Sequence, residues 1–211
     1  MSLKVIIEGF QTELEDEIKA HEEAINDYRK SITASKQAIM AVHRDKIDEA
    51  KIKLEDTRKF LWQGDEVAAP HEDLDLGIRK VAHQEYAEAA VLVKLSESDS
   101  FPDTRELGIT TIPYLLGLGD VIGEFRRLAL ESLRRRKLKD AERCLRIMNE
   151  IYSELMALEN AYILAPELRR KCDVARHLIE LTLGDIATEA GRSSLEKSIK
   201  LLEKQMKQGN A

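Results

Sequence analysis

The chain has 211 residues, a formal net charge of -6 and 34% charged residues, with four prolines, ten glycines and 5% aromatics. That length can bury a sizeable core, and few breakers with no β-branched alternation set aside a fold built on strands. The acidic balance argues against a protein that coats nucleic acid by bulk charge, while leaving room for a local basic face.

No apolar run approaches the roughly 18 residues that a membrane span needs, and no signal-peptide pattern is present. The chain therefore reads as a soluble cytoplasmic protein without a membrane partner. Cys144 and Cys172 stand apart, lack CxxC or Cys/His ligand spacing, and read as ordinary, partly buried thiols.

Apolar periodicity predicts helices in chain order. From Leu3 to His43 there is no proline, and Ile7, Phe10, Leu14, Ile18, Ile25, Tyr28, Ile32, Ile39 and Val42 recur at mostly three- or four-residue spacing. This predicts one very long helix, or two with a small break. A second is predicted from about Lys46 to Trp62, ended by QGDEVAAPHED with its Gly64 and Pro70, and a third from about Asp73 to Leu95.

SESDSFPDTRELGITTIP follows as the extended polar, turn-rich segment, with Thr110 or Thr111 as candidate caps and Pro113 suited to a first helical turn. A fourth helix is predicted from Pro113 to Arg135, and others at Leu138 to Glu159, Pro166 to Glu189 and Ser193 to Gln208, punctuated by Ala165-Pro166 and Gly191. With no repeat of fixed period, the expectation is all-α: a single antiparallel bundle of about seven helices forming one domain over residues 1–211.

Two of these helices carry acids where apolar residues belong. Ile78, Glu85 and Leu92 are seven apart, as are Val81, Glu88 and Leu95, so both glutamates fall on the apolar stripe and share a face. In the fourth helix Leu116, Asp120, Glu124 and Leu128 form one ridge with leucines at both ends. Like charges on apolar stripes raise each other's pKa and are costly to bury, so a cation is expected among them.

A hard divalent ion such as Mg2+ or Mn2+ has carboxylate oxygens as its preferred ligands and polarises phosphate. The same pattern also fits acids on a solvated groove wall, or acids paired with Arg and Lys of other helices. A carboxylate-bridged di-iron bundle is not supported, because no histidine lies three residues after any of the four acids. Gly117, Gly119 and Gly123 fall in the same turns, each costing roughly 0.5–1 kcal/mol against alanine, which suits close approach of a partner helix or nucleotide backbone.

QEYAEA at 84–89 and PYLLGLGDVIGE at 113–124, preceded in the first helix by YRKSITASKQAIMAVHR, resemble the translin family, and within it the branch of translin-associated factor X. The resemblance spans roughly residues 20–190. It implies the fold of that family and a metal-dependent endoribonuclease acting on single-stranded RNA, with single-stranded DNA as a further ligand. Glu85, Glu88, Asp120 and Glu124 would be the catalytic, Mg2+- or Mn2+-binding acids. Translin proper lacks the helix-three acid pair, so the chain resembles the active type.

The resemblance also implies a homo-oligomer forming a closed shell with the acids facing its cavity. Substrate binding would need cations, for which Arg29, Lys36, Arg44, Arg126 and Arg127 are the candidates, followed by the run Arg134, Arg135, Arg136, Lys137 and Lys139. Against these stand salt-bridge or solvated roles for each cation. Two other functions remain open: a non-catalytic translin-type nucleic-acid-binding protein, and an all-α MazG-type nucleotide pyrophosphohydrolase. The latter pairs Glu-x-x-Glu with Glu-x-x-Asp, whereas this chain has Asp120-x-x-x-Glu124.

Overall fold

The computed structural model describes residues 2–71, 77–158 and 160–209, apart from the side chains at 6, 12, 13 and 207. Among the described residues all regular structure is helical: α1 (Leu3–His43), α2 (Ile47–Ala68), α3 (Gly77–Glu97), α4 (Thr104–Leu107), α5 (Thr111–Arg134), α6 (Leu138–Met156), α7 (Ala161–Leu164) and α8 (Pro166–Gly209). The all-α class and the very long first helix are as the periodicity requires. Contacts group the chain into two compact units, Met1–Leu118 and Gly119–Ala211.

In the first unit, α1 and α2 form a hairpin. The turn closes through Asp45, which takes φ 58, and Lys46 N donates to Ala41 O at 3.0 Å. Asp tolerates that left-handed conformation better than most residues do. Tyr28 meets Asp65 and Ser31 meets Thr57, so numbering falls on α2 as it rises on α1, the mark of an antiparallel pair. The core uses small residues, Ala24, Ala82, Ala87 and Ala90, around Tyr28, Leu61 and Tyr86. Alanines let backbones approach while the aromatic rings fill the remaining space.

Two helix boundaries differ from the periodicity reading. Gly64 does not end α2, which continues to Ala68. A Cβ at Gly64 would sit 2.8 Å from Cε1 of Tyr28, so its bareness admits the buried tyrosine ring, and that packing outweighs the roughly 1 kcal/mol helix penalty of glycine. The turn-rich segment holds the one-turn helix α4, capped by Asp103, whose Oδ1 accepts from Arg105 N at 2.8 Å and Glu106 N at 2.7 Å. Gly108 closes it at φ 70 with the Trp62 indole against it. The expected start of the third helix at Asp73 lies outside the described residues.

A polar cluster ties α1, α2 and α3 together at Asp65. Its carboxylate accepts from Tyr28 Oη at 2.8 Å and Arg79 Nε at 2.8 Å, and lies 2.9 Å from His83 Nε2. Burial alone would raise the Asp65 pKa, but hydrogen bonds from His83 and Tyr28 and the charges of His83 and Arg79 outweigh it and hold the group below its usual 3.8. A depressed carboxylate adds stability above its unfolded pKa and loses it as pH falls through the folded value. Asp65→Asn should therefore cost about 1–3 kcal/mol at neutral pH, with a smaller loss of stability below about pH 4 than wild type, read by urea unfolding across pH.

In the second unit, α5 turns into α6 by the device used at Asp45: Arg136 takes φ 59 and Lys137 N donates to Ser132 O at 2.8 Å. Phe125, Met148, Leu155 and Leu168 are fully buried or nearly so. Cys144 and Cys172 are buried free thiols, and burial pushes Cys144 up to about 11, which keeps it protonated.

The two helices expected over Pro166 to Glu189 and Ser193 to Gln208 are one continuous α8 of 44 residues. Gly191 does not break it, because a helical glycine costs only about 1 kcal/mol and the flanking residues are ordinary helix formers. α6 ends at Met156 and the short α7 follows; the expected end at Glu159 lies outside the described residues. No helix among the described residues is long and apolar enough to cross a membrane.

Candidate functional site

Glu85 and Glu88 lie on α3, in the first unit, one turn apart on one face. Glu88 is only 9% exposed and is flanked by buried Ala87, Ala89 and Leu92. Glu85 is less enclosed, and Lys36 Nζ of α1 stands 4.0 Å from its Oε1. The turn carrying both acids is approached by another backbone. A Cβ at Gly117 would lie 2.8 Å from Ala87 Cβ, 2.9 Å from Glu88 N and 3.0 Å from Gln84 O. The start of α5 is thus seated backbone to backbone on the acidic turn of α3.

Asp120 and Glu124 lie in the second unit, four apart on α5 and so on one face. Lys171 of α8 forms an ion pair and hydrogen bond with Asp120, and its stem runs over Gly119, where a Cβ would meet Lys171 Cδ at 2.9 Å. The three α5 glycines thus have three different settings. Gly117 admits a helix backbone, Gly119 admits a lysine stem, and a Cβ at Gly123 would meet nothing within 4 Å.

Lys171 was not among the residues singled out from sequence. It is 51 positions from Asp120, so no local spacing links them. A signal did exist: Lys171 interrupts the buried stripe of Leu168, Cys172 and Ala175, as the acids interrupt theirs.

The candidate phosphate-binding cations have different settings. Arg29 and Lys36 on α1 and Arg44 at its C-cap are exposed. Arg29 lines a groove of about 480 Å³ between α1 and α2 with Asn26, Thr33, Lys53 and Phe60. Arg126 is engaged inside its unit, donating to Thr182 Oγ1 at 2.7 Å and Asp185 Oδ2 at 3.1 Å, whereas Arg127 is exposed. In the later basic run, Arg134 and Arg135 both bind Glu131, holding its carboxyl near 2 chiefly through the Arg134 hydrogen bond, and Arg136 binds Glu196. That run is largely balanced by neighbouring acids.

Among the described residues no three His, Cys, Asp or Glu side chains converge as a metal-ligand set. The donor chemistry nevertheless suits a hard divalent ion, since all four groups are carboxylates. One acid of each pair has a lysine beside it, Lys36 at Glu85 and Lys171 at Asp120.

Residues 13–180 match the model of the Translin family. The chain belongs to the translin family. This translin-family chain is 33% identical over 167 residues to the uncharacterized protein MJ0175 of Methanocaldococcus jannaschii, covering 78% of this chain and 74% of that one. Its fold is similar to the crystal structure of AfC3PO, with a TM-score of 0.80 and 30% identity over 88% of this chain and 97% of that chain. A structure of AfC3PO with duplex RNA matches at a TM-score of 0.80 and 29% identity over the same shares. The apo form of NeC3PO, at 22% identity and a TM-score of 0.79 over 87% of this chain and 96% of that chain, shares the fold.

Proposed function

We propose that this translin-family chain is an endoribonuclease of the translin-associated factor X type, hydrolysing phosphodiester bonds of single-stranded RNA. Glu85, Glu88, Asp120 and Glu124 would hold one or two Mg2+ or Mn2+ ions, and the protein would act as a homo-oligomeric shell. The observation that carries the reading is the pair of acid interruptions, one on α3 and one on α5, each with a lysine ammonium already recruited to it. Acids kept only for solubility would be exposed, whereas Glu88 is buried beside Ala87 and Ala89, and Glu85, Asp120 and Glu124 are half-buried. RNA as the polymer is supported by the relationship to AfC3PO, which has been solved with duplex RNA.

When bound, such an ion polarises the phosphodiester and lowers the pKa of a coordinated water. The chain's own residues supply the setting. The carboxylates that would hold the ion stand on helices rather than loops, so each would be presented at small cost in entropy. Exposed Arg29, Lys36, Arg44 and Arg127 offer charge to the phosphate backbone, with Arg126 less free to do so because Asp185 and Thr182 hold it. No covalent enzyme intermediate is needed.

The test is labelled single-stranded RNA incubated with Mg2+, with Mn2+ and with EDTA. Cleavage with either metal and none with EDTA is the expected result. Intact RNA under all three conditions, with retained binding, would instead establish the non-catalytic translin-type reading. Pyrophosphate release from free nucleotides with RNA left whole would establish the pyrophosphohydrolase.

A further inference from the structure

The groove between α1 and α2, about 480 Å³, is built from one stripe of each helix. From α1 come Asn26, Arg29, Thr33 and Gln37, at spacings of three or four over about 16 Å of helix. From α2 come Lys53, Asp56 and Phe60. Its volume is that of a small-ligand site.

Three of its nine lining residues are basic and one is acidic, in a chain whose net charge is -6. The cations differ in how they are held. Lys30 donates to Asp27 at 2.8 Å and stands 5.5 Å from the centroid of the Phe60 ring, and Lys53 donates to Asp56 at 3.1 Å. The Arg29 guanidinium and the amides of Asn26 and Gln37 make no hydrogen bond or ion pair among the described residues.

A locally positive groove selects an anion. A bare phosphate would use only the cations, whereas this groove also has a half-buried aromatic ring and two unengaged carboxamides. A carboxamide offers a donor and an acceptor side by side, which matches the edge of a nucleobase. An aromatic ring beside cations is a platform on which bases stack. A base paired inside a duplex keeps its edge and faces covered, so the nucleotide that fits is an unpaired one.

The groove also lies on a path to the acids. Lys36 is seven residues after Arg29, two turns or about 10 Å along the same face, and its Nζ is 4.0 Å from Glu85 Oε1. A strand that leaves the groove along α1 therefore reaches the acidic turn of α3 inside the first unit.

We propose that the α1–α2 groove is a base-binding subsite that holds one unpaired nucleotide of an RNA strand, with its phosphate on Arg29 and its base against Phe60, Asn26 and Gln37. The subsite rests on RNA being the ligand, as proposed above. It gives the chain a preference for single strands that does not depend on the carboxylates.

The test measures binding in EDTA, where metal-dependent cleavage plays no part. Fluorescence anisotropy follows a labelled single-stranded RNA of about ten nucleotides, within the usual range of site sizes, and the same strand annealed to its complement. Phe60→Leu keeps apolar bulk and removes the ring. It should weaken single-strand binding roughly tenfold and leave duplex binding within about twofold. Arg29→Gln should do likewise, and should also lower the slope of log affinity against log salt by about 0.7, the share of one single-strand phosphate. Lys59→Gln removes the same charge from an exposed position of α2 outside the groove and should bind as wild type does. The proposal is overturned if Phe60→Leu and Arg29→Gln bind the single strand like wild type, if single strand and duplex lose equally, or if Lys59→Gln loses as much. A wild type that binds neither form overturns the RNA reading itself, and the subsite with it.

Discussion

Glu88→Gln is expected to lower RNA cleavage by about 10²–10³-fold while leaving RNA affinity within a few-fold of wild type. Glutamine has the shape of glutamate, so the buried turn of α3 keeps its packing against Gly117 and only the charge is removed. The loss should fall on kcat rather than KM, because a metal-holding acid acts on the reacting phosphate and not on the bound backbone. Single-turnover kinetics together with filter binding read both quantities. A cleavage rate within a few-fold of wild type would remove Glu88 from the site.

Gly117→Ala should destabilise the protein by about 1–3 kcal/mol, even though alanine is the better helix former by about 1 kcal/mol. The sign follows from what the added methyl would meet. Two of its three closest neighbours are backbone atoms of α3, at 2.9 and 3.0 Å. A backbone cannot rotate aside as a side chain can, so α5 or α3 must shift. For a chain of this size that loss corresponds to a melting temperature lower by about 2–4 °C per kcal/mol. Gly123→Ala is the matched control: its methyl would meet nothing within 4 Å, so it should be neutral or stabilising by up to about 1 kcal/mol. Equal effects at both positions would contradict the backbone contact.

Long-range order was legible where periodicity carried it and illegible where single residues set boundaries. The 41-residue α1 follows from its unbroken spacing of apolar residues and lack of proline, and its bounds match expectation. Glycine misled twice. At Gly64 the reason was a tyrosine ring 36 positions away, and at Gly191 the cost of one glycine was too small to end a long helix. The one-turn α4 was readable in principle, because Asp103, Glu106 and Gly108 stand at cap, third and closing positions, but its four residues show no period.

The acids of the candidate site were visible because a charge on an apolar stripe violates a local rule. Lys171 violates the same rule on α8 and was missed, because its partner Asp120 is distant in sequence. The Asp65 cluster was also hidden: Tyr28 reads as one of the apolar positions of the first helix, and only packing of three helices brings it and His83 to one carboxylate.

The measurement closest to the central claim is Mn2+ binding followed calorimetrically in wild type, Asp120→Asn and Lys171→Met. If the carboxylates hold a divalent ion and Lys171 stands in for it, wild type binds Mn2+ saturably and Asp120→Asn weakens it by about 10–100-fold. Lys171→Met should bind more tightly, because the ion no longer has to displace an ammonium from Asp120. Absence of saturable binding in wild type, or equal affinity in all three proteins, would contradict the account.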